Sequence, residues 1–270
     1  KSRLQPGKIL LVDTLQKKII SDKECKEFYS SQYPYGEWLD MNLTHLSDLK
    51  IPNKKIPVHT LEERNILYRA FGWNYEDVNE MVLALAKNGV EPTASMGVDT
   101  PLAVMSEKHQ SLFSYFKQLF AQVTNPPIDS LREKIVTDTT VYVGKDGNLL
   151  EPDGKNCRVL EINNPILTGT DLIKIAALNQ NGLKAKTLSI LFELGGQGLA
   201  CVIDNLFAQI DQAYADGYNI LILSDRGLDK NHAAIPAILA VSAVEQHLVR
   251  TKKRTSISII LESAEVRDVH

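Results

Sequence analysis

The spacing of apolar positions changes along this chain, and the change divides it. Near the amino terminus Lys8-Ile9-Leu10-Leu11-Val12 and Lys18-Ile19-Ile20 are short apolar runs between polar turns, which predicts a hairpin-like pair of strands. Ser21 or Asp22 is placed to cap a short helix, and an extended segment follows through Trp38. Leu49-Lys50-Ile51-Pro52-Asn53-Lys54-Lys55-Ile56-Pro57 is polar and Pro-interrupted and reads as a surface linker. From Thr60 the spacing becomes helical. Thr60-Leu61-Glu62-Glu63 fits a capping box, and apolar residues recur at helical intervals over 75–86. An amphipathic helix is also predicted inside 91–132, with Phe113, Tyr115, Phe116 and Phe120 largely along one face as a packing stripe.

The carboxy-terminal half reads as strands and helices in alternation. A strand over 139–143 leads into the turn Gly144-Lys145-Asp146-Gly147-Asn148. Strands over 187–192, 219–223 and 256–261 are separated by helices over 199–215 and 235–249. That order predicts right-handed βαβ units and a parallel sheet. The fold class is therefore α/β: parallel-strand βαβ units resembling part of a barrel, preceded by a helical region and a short N-terminal β/extended segment. Three such strands cannot close a barrel.

In parallel sheets ligands gather at the carboxyl ends of strands. Those ends carry Glu193, Ser224-Asp225-Arg226 and Glu262-Ser263. Asp225, Arg226, Glu262 and Glu265 could supply an acid/base pair with a cationic orienter. Equally, Asp225-Arg226 could be an ion pair that shapes the loop, with Glu262 capping the last helix. Gly195-Gly196-Gln197-Gly198 sits between a strand and a helix, where backbone amides can hold phosphate. It lacks the P-loop Lys-Ser/Thr and the full dinucleotide spacing, so a tight βα turn is the better reading.

Composition narrows the function classes. An apolar fraction of 44%, a charged fraction of 23% and a net charge of -3 exclude disorder and give no electrostatic reason to expect nucleic acid. Lys252-Lys253-Arg254 is the one basic run and reads as a solvated helix end. No apolar run approaches the roughly 18 to 20 residues of a membrane span, and the amino terminus shows no signal core. A soluble, cytoplasmic chain is expected. Cys25, Cys157 and Cys201 have neither CxxC spacing nor a neighbouring His, which predicts free thiols, buried or half-buried. His45, His59, His109, His232, His247 and His270 are dispersed, without the pairing a metal site needs.

Two loops within 91–132 stand apart from simple turns. Ser95-Met96-Gly97-Val98-Asp99-Thr100-Pro101 places a glycine, an Asp and a proline within a few residues. Thr124-Asn125-Pro126-Pro127-Ile128-Asp129 sets two fixed-φ residues before an Asp positioned to cap the next helix. Neither holds a nucleophile with its base.

On these loops the chain closely resembles the central domain of the glutamate synthase large subunit, whose wording is EPxxSMGxDTPLAVLS and then YFKQxFAQVTNPPIDPxRE. Met105 and Ser130 are among the few departures. Ile220-Leu221-Ile222-Leu223-Ser224-Asp225-Arg226 and Leu261-Glu262-Ser263-Ala264-Glu265-Val266-Arg267-Asp268-Val269-His270 resemble the same family. Arg3-Leu4-Gln5-Pro6-Gly7-Lys8 and Pro34-Tyr35-Gly36-Glu37-Trp38-Leu39 look like the tail of its amidotransferase region.

The resemblance implies two parts, 1–57 as that tail with a linker and 58–270 as the central domain. It implies a non-catalytic module joining the amidotransferase and FMN-binding domains of one polypeptide. The parent would make L-glutamate from L-glutamine and 2-oxoglutarate with FMN and an iron–sulfur cluster, neither held by this segment. The chain then reads as an excised fragment, colourless and inactive alone. Ammonia passing between the parent's two sites must stay unprotonated, and the resemblance places Met96, Thr124 and Asn125 at a constriction of its passage. Otherwise Met96 fills a core gap and Asn125 caps a turn. An independent α/β enzyme working at Asp225 and Glu262 is the alternative. The electron donor of the parent is left open.

Overall fold

A computed structural model describes residues 3–90, 92–93, 101–116 and 128–267. The opening hairpin forms as its pattern predicts, with β1 (Leu11–Asp13) antiparallel to β2 (Lys18–Ile20). Asp13 closes the turn by accepting from the backbone N–H groups of Leu15 and Gln16, each at 2.8 Å. Ser21 starts α1 (Asp22–Ser30): its hydroxyl accepts from the Glu24 N–H, and the Glu24 carboxylate reaches back to the Ser21 N–H.

The segment expected to be extended is instead α2 (Tyr35–Asn42). Pro34 and Gly36 argue against a helix locally, but packing overrides them. The Trp38 ring lies so close to Gly154 that an added Cβ there would meet it at 3.1 Å, and Tyr33 and Tyr35 pack on the same indole. β3 (Thr44–His45) follows.

The helical region begins with α3 (Leu61–Ala70), capped reciprocally by Thr60 and Glu63. The helix expected over 75–86 forms as one unbroken helical run over 75–88, wound as a π-helix at Asp77–Val82 before α4 (Leu83–Asn88). The amphipathic helix expected inside 91–132 appears, among the described residues, as 3₁₀ turns at Ala103–Met105 and Leu112–Phe116. Phe120 lies outside the described residues. α5 (Ser130–Val136) starts where predicted, with Asp129 accepting from the N–H groups of Leu131 and Arg132 at 3.0 Å each. Asp129→Ala is expected to cost about 1 kcal/mol, the loss of one good cap, read as a lowered urea midpoint with an unchanged slope.

The remaining elements are β4 (Val141–Gly144), β5 (Val159–Ile162), α6 (Gly169–Ala176), β6 (Asn179–Gln180), β7 (Leu183–Ser189), β8 (Leu191–Glu193), α7 (Leu199–Ala215), β9 (Ile220–Ser224), β10 (His232–Ala234), α8 (Ala237–Arg250) and β11 (Ser258–Glu262). The main sheet runs β11-β9-β7-β6, with β7, β9 and β11 parallel and β6 antiparallel. A second sheet runs β3-β5-β4, and β8 pairs antiparallel with β10. Two βαβ units, β7-α7-β9 and β9-α8-β11, confirm the α/β reading.

The strand expected over 187–192 divides at Ile190. Its N–H donates to the Ser224 carbonyl and its own carbonyl accepts from the Ile235 N–H, so the chain leaves β9 and turns toward β10. Gly144 belongs to β4 rather than to the turn after it. Its φ of +140° and an added Cβ only 3.0 Å from Leu183 show why no larger residue fits.

β9 has no solvent face. Leu221 and Leu223 pack against Leu206 and Ile210 of α7 and Val244 and Leu248 of α8. Ile220 and Ile222 face the other way, toward Leu160 and Ile162 of β5 and Ile175 of α6. A continuous apolar run of this kind is what a parallel strand covered on both faces requires.

Candidate functional site at the carboxyl strand ends

The parallel register brings Ser189, Ser224 and Glu262 side by side at the ends of β7, β9 and β11. The Ser224 hydroxyl donates to Glu262 Oε2 at 2.5 Å. Arg226, on the loop after β9, reaches Glu262 Oε1 with Nε at 2.7 Å and with Nη2 at 2.6 Å. Asp225 points into the protein and is only 6% exposed. Its Oδ2 accepts from the Ser263 hydroxyl at 2.7 Å and from the Ala264 N–H at 3.0 Å. Burial raises the Asp225 carboxyl above its ordinary range; those two hydrogen bonds offset part of the shift, while Glu262 adds to it. Glu265 accepts from the Ala237 N–H at 2.5 Å, at the start of α8 where a carboxylate suits the helix dipole.

Of the four residues expected to meet at the strand ends, Arg226 and Glu262 pair directly, while Asp225 bonds Ser263 and Ala264 and Glu265 bonds the start of α8. Asp225 and Arg226 are not an ion pair; Arg226 bonds across the sheet to Glu262 at the end of β11, and Asp225 to Ser263 and Ala264 just after it. Glu262 caps no helix and instead anchors Arg226 and Ser224. Neighbours in sequence point to opposite sides of the strand end, which is why local pairing fails.

The chain beyond Glu262 extends this cluster toward α3, a connection that spacing alone did not suggest. The Trp73 indole N–H donates to the Ala264 carbonyl at 2.7 Å. The Arg267 guanidinium stacks 4.9 Å from the Trp73 ring, donates to the Phe71 carbonyl at 2.5 Å and lies 3.2 Å from the Asp77 carboxylate. A cleft of about 420 Å³ opens beside it, lined among others by Asp77, Pro101, Ala103, His109, Glu265 and Arg267. The one hint in the sequence was that Arg267 belongs to the quoted motif 261–270.

A second cleft, of about 370 Å³, lies between Ser189, Glu193, Gln197 and Asn205. Gly195-Gly196-Gln197-Gly198 forms the βα turn that edges it. There the Gln197 carbonyl oxygen accepts from the Asn205 amide at 2.9 Å and from Cys201 at 3.2 Å.

Met96, Thr124 and Asn125 lie outside the described residues. Cys25 is buried and Cys157 half-buried, but Cys201 is exposed because it opens the first turn of α7. The basic run is not simply solvated. Lys253 folds back to Asp211 at 2.6 Å and Arg254 pairs with Glu245, because the run closes α8 onto its neighbours. His247 joins the first pair at 2.9 Å from Asp211 while stacking on Phe207. Burial raises the Asp211 carboxyl, but hydrogen bonds from Lys253 and His247 outweigh that and hold it below its ordinary range.

Among the described residues no group of His, Cys, Asp and Glu is placed to hold a metal ion. The three thiols sit on α1, a 3₁₀ turn and α7, so they do not fit an iron–sulfur cluster, which needs convergent thiolates. No helix among them is long and apolar enough to cross a membrane.

The family model described as "Glutamate synthase central domain" matches residues 67–270. The chain belongs to this family. A model of class-II glutamine amidotransferases matches residues 1–38, so a glutamate synthase central domain follows the tail of an amidotransferase here. Similar proteins include the glutamate synthase (NADPH) large chain of Bacillus subtilis, 41% identical over 270 residues. The ferredoxin-dependent glutamate synthase 2 of Synechocystis is 37% identical over 277 residues, and the chloroplastic ferredoxin-dependent enzyme of Spinacia oleracea 39% over 277. Each is matched by 100% of this chain, which spans 17% of each relative's length. In these relatives the glutamate synthase central domain thus lies inside a far longer polypeptide.

Proposed function

We propose that this chain is the non-catalytic central module of a glutamate synthase, connecting the glutaminase and flavin-dependent synthase domains and lining part of the ammonia route between them. On this reading residues 1–57 are the amidotransferase tail with its linker and 58–270 the central module. The parent makes L-glutamate from L-glutamine and 2-oxoglutarate in the cytoplasm, and its FMN and iron–sulfur cluster are held by other domains of the same polypeptide.

One observation carries the non-catalytic reading. At the ends of β9 and β11, where the acid/base candidates lie, the three carboxylates Asp225, Glu262 and Glu265 are already engaged. Asp225 holds the turn at Ser263-Ala264, Glu262 holds Arg226 and Ser224, and Glu265 holds the start of α8. Groups committed to structural hydrogen bonds are poorly free to move a proton. The competing reading, an independent enzyme at Asp225 and Glu262, draws on the raised Asp225 carboxyl. Burial accounts for that shift without a substrate.

Met96, Thr124 and Asn125 are the residues assigned to the narrow part of the route. A conduit for neutral ammonia needs close packing and modest polarity, and a methionine, a threonine and an asparagine supply both. Met96→Trp in the full-length enzyme is expected to obstruct ammonia while leaving both reaction centres intact, because a rigid ring cannot repack as a thioether can. Glutamine consumed should then exceed electron donor oxidised. A correctly folded variant that keeps the two equal would remove Met96 from the route.

A further inference from the structure

We infer that residues 35–56 are a strap docked along the central module, which joins the amidotransferase tail to it as a fixed joint and not as a free tether. The inference rests on the two-part reading above and moves its seam. The amidotransferase match ends at residue 38 and the central-domain match begins at 67, and most of the strap lies between them.

The strap is held at successive points by residues from the distant carboxy-terminal half. The Trp38 indole sits on Gly154, where an added Cβ would meet the ring at 3.1 Å. Asn42 accepts from Arg158 Nε at 3.2 Å, while its own amide donates to the Trp38 carbonyl at 2.9 Å. β3 pairs in parallel with β5, and His45 Nδ1 lies 3.0 Å from the Glu161 carboxylate. Lys174 of α6 donates to the Leu46 carbonyl at 3.3 Å. Leu49 is buried with Leu160 of β5 and Ile175 of α6. Ile56 packs on Gly169 at the start of α6, where an added Cβ would meet it at 3.3 Å. The stretch 49–57, expected to be a surface linker, is thus anchored near both ends, and Pro52 stiffens the span between them.

These contacts are of kinds that resist opening. β3 covers the outer edge of β5, so lifting it would strand backbone groups of β5 beside the fully buried Leu160. The indole can lie against the backbone at 154 only because glycine leaves room for it. Before the strap the pattern is different. Among the described residues, the hydrogen bonds and ion pairs made by residues before Tyr35 stay within the first 38 positions. Tyr33 and Tyr35 pack on Trp38, and so carry the hold at Gly154 back into the amidotransferase tail.

The test is hydrogen exchange on the 270-residue chain and limited trypsin digestion of full-length glutamate synthase, each as wild type, Gly154→Val and Trp38→Ala. In wild type the amides of 43–49 should exchange at least about a hundredfold more slowly than in an unstructured peptide of the same sequence. Gly154→Val drives the indole off its seat and Trp38→Ala removes it. Both should speed exchange over 35–49 at least about tenfold while the amides of β9 stay as slow as in wild type. In the full-length enzyme, the exposed Lys50, Lys54 and Lys55 should resist trypsin in wild type, because cleavage needs the backbone to leave its anchors. Both variants should be cut there and release the amidotransferase as a fragment. Should Gly154→Val disturb its own turn, Trp38→Ala leaves that turn intact and carries the same expectation. Exchange over 43–49 at the peptide rate, rapid cutting at those lysines in wild type, or variants as protected as wild type would each overturn the strap. None of these readouts uses catalysis. Failure here therefore leaves the non-catalytic reading standing, and activity found at Asp225 would leave the strap standing.

Discussion

Asp225→Ala is expected to destabilise the chain by about 2–4 kcal/mol, far more than Asp225→Asn. Asp225 is buried, and one of its oxygens accepts both the Ser263 hydroxyl and the Ala264 N–H. Alanine removes that acceptor and leaves two donors unpaired inside the protein. Asparagine offers one carbonyl oxygen in the same place, so both bonds survive and only the charge is lost.

The pH dependence has a definite sign. Because burial raises the native carboxyl above 3.8, the folded chain binds its proton more tightly than the unfolded chain does. This group's contribution is therefore fully present below the ordinary value and declines as pH rises through the raised one. Asp225→Asn has no such decline, so its stability relative to wild type should improve between acid and neutral pH. Urea midpoints of the two proteins at several pH values measure this directly. A difference that stays constant, or runs the other way, would mean that Asp225 is ionised at least as easily in the fold as in water.

Leu223→Ala is expected to cost about 2–5 kcal/mol, whereas Ile222→Val on the neighbouring position should cost about 0.5–1.5 kcal/mol. Both side chains are fully or almost fully buried in β9, on opposite faces. Leucine to alanine removes three carbons from a packed cluster between the sheet and α7 and α8, and the surrounding helices can close only part of the void. Isoleucine to valine removes one methylene and leaves the branch that fits the strand. Chemical denaturation with a common slope would rank them; equal losses would show that one face of β9 is far looser than its burial implies.

How much of this was readable in advance depends on where the information lay. The span of α7 and the core of β9 were legible because each element's own residues dictate it: a glycine-rich turn and helical spacing for one, the unbroken apolar run Ile220-Leu221-Ile222-Leu223 for the other. The caps by Ser21, Thr60 and Asp129 were equally local. α2 was not, since Pro34 and Gly36 oppose a helix and only Gly154, more than a hundred residues on, accommodates Trp38. The break at Ile190 likewise depends on Ser224 and Ile235, which no window around residue 190 contains. At the candidate site the residue types were visible and the pairing was not. Arg226 passes over the adjacent Asp225 for Glu262, a partner set by sheet register. Trp73 and Arg267 meet across 194 positions only because the chain folds back on itself.

The absence of a solvent face on β9 also sets how tolerance to change is spread along the chain. Among the described residues none before Leu46 takes part in either apolar cluster, while every residue of β9 is buried. Opening either side of β9 exposes a wall that the other side also uses, so the two halves of the core should exchange their amide hydrogens as one slow, cooperative block. The amino-terminal hairpin and α1 stand outside that block and can open without disturbing it. Tags, linkers or a cut are thus best tolerated toward the amino terminus, and a single altered methyl in β9 is felt on both sides of the sheet.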